Sequence, residues 1–255
     1  MEKYFIIIIF VISISTVNAF AIEPIMITIS NDLDKVVFDG KWSQMTEWKH
    51  SSLNTINYDD GTAIQLRTAH QDNFIYVFVD AVSDTYLDKG ADRAMLCFDG
   101  NNDKTALPST DDYCFIAIID RKQAFVYQGG SPLGFNDNFK KISNHEDFIG
   151  IGSVSDINDR YTTIPHSSYE FRIPTELVGR SSIYGFYLAV YDAHSNKVYS
   201  WPSDIFVDKP FQIPSPSRWG ELVSPDKSLP EFEWPMFVVL TAFSLTVYLT
   251  KFRYR

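Results

Sequence analysis

The apolar residues of this chain arrive in short bursts, and that pattern constrains the fold class more than any other feature. Val36 to Phe38, Ala63 to His70, Phe74 to Val82, Arg93 to Phe98, Tyr113 to Ile119 and Ala124 to Gln128 alternate or run wholly apolar, then stop at Asp, Asn, Gly or Ser. Ile149 to Val154, Ser168 to Ile173, Gly185 to Tyr191 and Lys197 to Trp201 repeat the pattern. Nothing between these stops sustains a helical period beyond a turn or two, so the runs read as strands. Pro174 to Val178 is the one expected helical turn. The expectation is an all-β fold, an antiparallel β-sandwich of about ten strands. Phe74 to Val79 has no polar face, which marks a central strand covered on both sides. With 14 Tyr and 20 Phe, the composition leans the same way.

Two segments stand outside this domain. Tyr4 to Val17 is almost wholly apolar behind Lys3, and the small residues Ala19 and Ala21 flank Phe20. That is the order of a secretory signal, with residues 1–21 removed after Ala21; the competing reading is an N-terminal anchor. Trp234 to Thr250 carries no charge and is followed by Lys251, Arg253 and Arg255. Residues 234–250 therefore read as a short transmembrane helix, 251–255 as a basic tail held in the cytoplasm, and 224–233 as a stalk. The expected location is the outer face of the cell membrane.

The formal charge of -10 argues against nucleic acid, which needs clustered Lys and Arg. Setting the ends aside removes Lys3, Lys251, Arg253 and Arg255 against only Glu2, so the segment from Ile22 to Thr250 is more acidic than the whole. Most of those carboxylates read as solubilising charge. Asp99, Asn101 and Asp103 are different, because oxygens at alternate positions can surround one hard cation, and Asp111 or Asp112 can complete the set once the loop folds back. Calcium is thus an expected ligand of this loop. The competing reading is a hairpin loop built of ordinary turn formers. An EF-hand is excluded, since Lys104 and Thr110 occupy the positions that need Gly and Glu. Asp84, Asp88 and Asp92 are either further ligands or solvated acids.

Cys97 and Cys114 are the only cysteines and flank the same loop. In an exported chain two cysteines read as a disulfide, with a pair of buried thiols as the alternative. Catalytic patterns are missing: His50, His70, His145, His166 and His194 are scattered, and there is neither a nucleophile elbow nor a glycine-rich phosphate loop. The chain reads as a non-enzyme. Of the five Trp, Trp48 and Trp219 fit a core, Trp234 a membrane interface, and Trp201 is the candidate for stacking on a sugar ring.

Two resemblances follow from residues in order. Pro230-Glu231-Phe232 ahead of an apolar helix and basic end resembles the PEF-type C-terminal sorting signal of archaeal surface proteins, and that resemblance implies a sortase-like enzyme acting on the tail. Phe38-Asp39-Gly40 with Trp48, Asp72 to Val77 with Asp84, Arg93 to Asp103 with Asp111-Asp112-Tyr113, Tyr169 to Pro174, and Ser200-Trp201-Pro202 through Trp219-Gly220 together resemble family 9 carbohydrate-binding modules and the wider DOMON-type sandwich group. The resemblance covers about Val36 to Leu222 and implies a surface module for carbohydrate or envelope glycan, with a structural calcium. Its DOMON branch implies haem instead, with Met45, Met95, His70 or His166 as ligand candidates. A structural envelope protein without a small ligand is the third reading.

Overall fold

The structure is a computed structural model that describes residues 23–132, 138–203, 205, 207, 209 and 212–224. The expected signal segment at 1–21, sorting motif at 230–232, span at 234–250 and basic tail lie outside the described residues. Among those described, no helix is long and apolar enough to cross a membrane.

Fourteen strands form two packed sheets. The strands are β1 (Ile25–Met26), β2 (Thr28–Ile29), β3 (Ser52–Asn57), β4 (Ala63–Gln71), β5 (Phe74–Ala81), β6 (Arg93–Asp99) and β7 (Asp112–Ile118), then β8 (Phe125–Gln128), β9 (Lys140–Ile142), β10 (Ile149–Val154), β11 (Ser167–Pro174), β12 (Ile183–Asp192), β13 (Lys197–Trp201) and β14 (Gly220–Val223). One sheet has the order β1-β14-β12-β6-β7-β8-β9 with β13 also on β12; the other runs β10-β11-β5-β4-β2 with β3 also on β4. The only helices described are the turn Thr175–Val178, where one was expected, and a 3-10 turn at Pro216–Arg218.

The all-β sandwich is as expected, but not antiparallel throughout. The segment 25–29 pairs in parallel first with β14 in one sheet and then with β4 in the other, stitching the edges together around fully buried Ile27. Val36 to Phe38 is not a strand. Its amides go elsewhere: Val37 N–H donates to Glu47 Oε1, and Asp39 N–H donates to Glu170 Oε2.

The central strand β5 shows why its sequence has no polar face. Ile75, Val77 and Val79 point into the main core between the sheets. Tyr76 and Phe78 point outward, where Leu33, Val36, Trp42 and Trp48 cover them as a second apolar layer. Trp48 stacks on Phe78 at 5.4 Å and donates its indole N–H to buried Glu170 at 2.9 Å. Gly40, which lets this covering segment turn at φ 87°, also donates its N–H to Glu170; a Cβ there would lie 2.7 Å from that of Ser153.

Candidate functional site

The eight-stranded sheet is covered differently on its outer face. Alternate residues share a face, so the register aligns Tyr187, Cys97, Cys114 and Tyr127 in one row, and Ala189, Met95, Ile116 and Phe125 in the next. Ile205, Ile213, Trp219 and Phe139 pack over part of these rows. Under that cover Cys97 and Cys114, directly opposed with Cα atoms 4.1 Å apart, form a disulfide. Among the described residues, nothing from these segments packs over the rest of the face. A groove of about 230 Å³ lies there, floored by Ile116 and Ile118, with Phe125 and Tyr127 beside them.

Three cations reach this groove: Arg93 from β6, Arg121 from the loop after β7, and Lys141 from β9. Among the described residues lining it there is no carboxylate. The Lys141 ammonium sits 3.9 Å from the centre of the Phe125 ring, and the Arg93 guanidinium lies 4.5 Å over Tyr191. Burial lowers the Arg93 pKa from its ordinary value, but a guanidinium starts so high that it stays charged. In a chain of charge -10, this is a local reversal of sign.

The groove rim is also an acidic loop. Gly90, which lines the groove, belongs to the connection between β5 and β6, and its N–H donates to Ile119 C=O at 3.0 Å. The same connection carries Asp84, Asp88 and Asp92. Donor atoms of Asp88, Asp92 and Asp192 lie within 4.8 Å of one another, because β12 pairs with β6 and sets Tyr191 opposite Arg93. Asp92 accepts the N–H groups of Asp88 and Ala193 at 2.6 and 2.9 Å. Asp88 Oδ2 is buried without a hydrogen-bond partner, as is Oδ1 of Asp84, whose other oxygen accepts from Ser167 Oγ. Burial, reinforced by Asp92, Asp192 and Asp88, pushes the Asp84 carboxyl up to about 7. All-oxygen donors of this kind are those that a hard cation takes.

The loop singled out by sequence is arranged otherwise. Among the described residues, Asp99, Asp103, Asp111 and Asp112 do not form a group whose donors converge. The loop's own groups engage most of them: Asp99 accepts the N–H groups of Asp103 and Lys104, Asp111 that of Asn101 and the Ser109 hydroxyl, and Asp112 Oδ2 the Ser109 N–H, while Asp112 Oδ1 is buried without a hydrogen-bond partner. Asn101 and Asp103 are exposed, while Asp99 and Asp112 face each other at the ends of β6 and β7. The hydrogen bonds within the loop are those of ordinary turn chemistry.

Trp201, the sugar-stacking candidate, lies in the main core. It is 9% exposed and packs against Phe186 at 6.0 Å, over a glycine, Gly220, whose Cβ would lie 2.3 Å from the indole. No open face remains for a sugar. Trp48 and Trp219 are buried as expected. The groove residues were missed because β7 and β8 were read only as strands; the alternation of Phe125 and Tyr127 beside Lys141 was the available signal.

One arrangement resembles a catalytic triad. His166 Nε2 meets Asp80 Oδ1 at 2.5 Å, and its Nδ1 meets Ser155 Oγ at 2.8 Å. All three residues are buried, the serine is on the nitrogen opposite to the one a nucleophile's base presents, and its oxygen also accepts the His166 backbone N–H. This is packing, not a reactive site. The haem-ligand candidates are dispersed: His70 lies against Tyr184, His166 against Asp80, Met95 in the outer layer, and Met45 is 81% exposed.

No family model matches the chain, and no curated protein matches it. Among solved structures, it is similar to a family 9 carbohydrate-binding module from Caldicellulosiruptor kristjanssonii in complex with cellotriose, at 16% identity and a TM-score of 0.48 over 79% of this chain and 93% of that one. The same module in complex with glucose gives 16% identity and 0.49 over 78% and 95%. At these values no site is carried over.

Proposed function

We propose that this chain is a non-catalytic carbohydrate-binding module held at the outer cell surface, and that its ligand lies in the groove between Arg93, Phe125, Tyr127 and Lys141. The observation that carries this reading is the groove itself: an apolar floor, two aromatic rings and three cationic donors in its lining. Sugars need that combination, since their rings offer apolar faces and their rims hydroxyl groups. Three cations, with no carboxylate among the described lining residues, favour a glycan bearing acidic groups over a neutral one. Titration of the full chain with neutral and uronic-acid oligosaccharides tests this. Binding of the acidic series, weakened by salt, is the expected result; failure of both series on a broad glycan array overturns the reading.

Calcium at Asp88, Asp92 and Asp192, with Asp84 beside them, would fix the loop that carries Gly90 and so shape the groove. A cation bound only by folded protein stabilises it by about 2.7 kcal/mol at one hundred times its dissociation constant. Chelation is therefore expected to lower the melting temperature and added calcium to restore it, while Asp88→Asn removes the response. The apolar ends supply export and anchoring, and a sortase-like enzyme acts on the tail. Protease treatment of intact cells should release the domain if it stands outside.

A further inference from the structure

We propose that Asp80, Asp159 and His166 form a second, fully internal cation site, built for a divalent transition ion such as zinc or manganese. It is separate from the acidic rim and independent of what the groove binds. Donor atoms of the three side chains lie within 4.8 Å of one another. Asp80 and His166 are 0% exposed and Asp159 is 8% exposed.

The argument begins with unmet bonds. Asp80 Oδ2 and Asp159 Oδ2 are buried and have no hydrogen-bond partner. Buried carboxylate oxygens normally find donors, because leaving one dry and unpaired is costly. Asp159 is meanwhile fixed in place: its Oδ1 accepts the N–H groups of Tyr161 and Thr162 at 2.8 and 3.0 Å. Its free oxygen is held toward Asp80 and His166 by the fold of its own loop.

His166 is oriented in the way metal-bound imidazoles are. Its Nδ1 lies 2.8 Å from both Ile164 C=O and Ser155 Oγ; in the tautomer that donates from Nδ1 to the carbonyl, the lone pair is left on Nε2, facing the carboxylates. With no ion, a proton sits between Nε2 and Asp80 Oδ1, and the Oδ2 atoms of Asp80 and Asp159 are paired only if a further proton is held between the two carboxyl groups. An ion displaces that proton to solvent and takes up the carboxylate oxygens together with Nε2. Calcium avoids imidazole nitrogen, whereas zinc and manganese accept mixed nitrogen and oxygen sets.

The test is metal content. The full chain, produced in medium supplemented with zinc and manganese and then washed with a calcium-selective chelator, should retain a single equivalent of one of these ions. Asp159→Asn and His166→Gln should each lose it, while Asp88→Asn should keep it. Cobalt-loaded protein gives a second reading, because its visible absorption must change in His166→Gln. An empty wild-type protein, or ion content and cobalt spectrum indifferent to both substitutions, overturns the proposal; should either variant fail to fold, the wild-type content and spectrum still decide.

Discussion

The two outer faces of the sandwich begin alike and end differently. Each carries large apolar side chains, but the six-stranded sheet is closed by Trp42 and Trp48, whereas among the described residues the eight-stranded sheet is covered over its disulfide and keeps a groove floored by buried Ile116 and Ile118 beside half-buried Phe125. The closed face also buries its polar groups in pairs, with Glu170 taking N–H donors from Trp48, Asp39 and Gly40. The open face instead keeps Arg121 and Lys141 in solvent. Completeness of cover separates a surface that holds the fold from one that has something left to bind.

That distinction breaks if substitutions on the two faces behave alike. The largest effect is expected from Trp48→Ala, which empties a fully buried site and leaves Glu170 Oε1 without its donor. A loss of about 3–5 kcal/mol in denaturant unfolding is expected, with ligand affinity of the folded fraction unchanged. Next is the covered part of the other face. Cys97 and Cys114 are 17 residues apart, so replacing both by serine should cost about 3 kcal/mol, the loop-closure entropy regained by the unfolded chain. A stability loss below ~1 kcal/mol for Trp48→Ala would mean that the closed face is not the closed core described.

How much of this was legible in sequence follows the same division. Phe74 to Val79 announced its two-sided burial because every residue of it is apolar. The strap that covers it did not, and Val36 to Phe38 passed for a strand because apolar residues look alike whether their amides bond to a neighbouring strand or to Glu47 and Glu170. β3 was missed because only Ile56 of its six residues is buried, and β1 and β2 because two-residue strands exist only through their partners. Acidity at Asp84, Asp88 and Asp92 was visible, but Asp192 joins them only through the pairing of β12 with β6. Trp201 attracted notice as an aromatic before a proline; that Gly220 makes room for it in the core is a fact of packing with no local sign.

On the open face the effects are smaller and fall on binding. Arg121→Ala and Lys141→Ala remove exposed cations, so each should leave the unfolding midpoint unchanged and weaken binding of an acidic sugar about tenfold, or about 1.4 kcal/mol. Both losses should shrink as salt is raised, since exposed charges are screened. Equal binding of neutral and acidic sugars by the two variants and the parent would remove the cations from the site.

The smallest effect concerns the loop whose acids do not converge. Burial, with Asp99 alongside, pushes the Asp112 carboxyl up to about 7 from an ordinary value of 3.8. The folded state therefore holds its proton more tightly than the unfolded chain does. The sign follows: any stability from this group is complete below about pH 4 and is lost as pH rises toward about 7. Asp112→Asn keeps an acceptor for the Ser109 N–H without taking on charge, so it should flatten the decline of stability across that window. A decline of unchanged slope in the variant would mean that other raised carboxyls, such as Asp84 and Asp80, and not Asp112, set the loss of stability across that window.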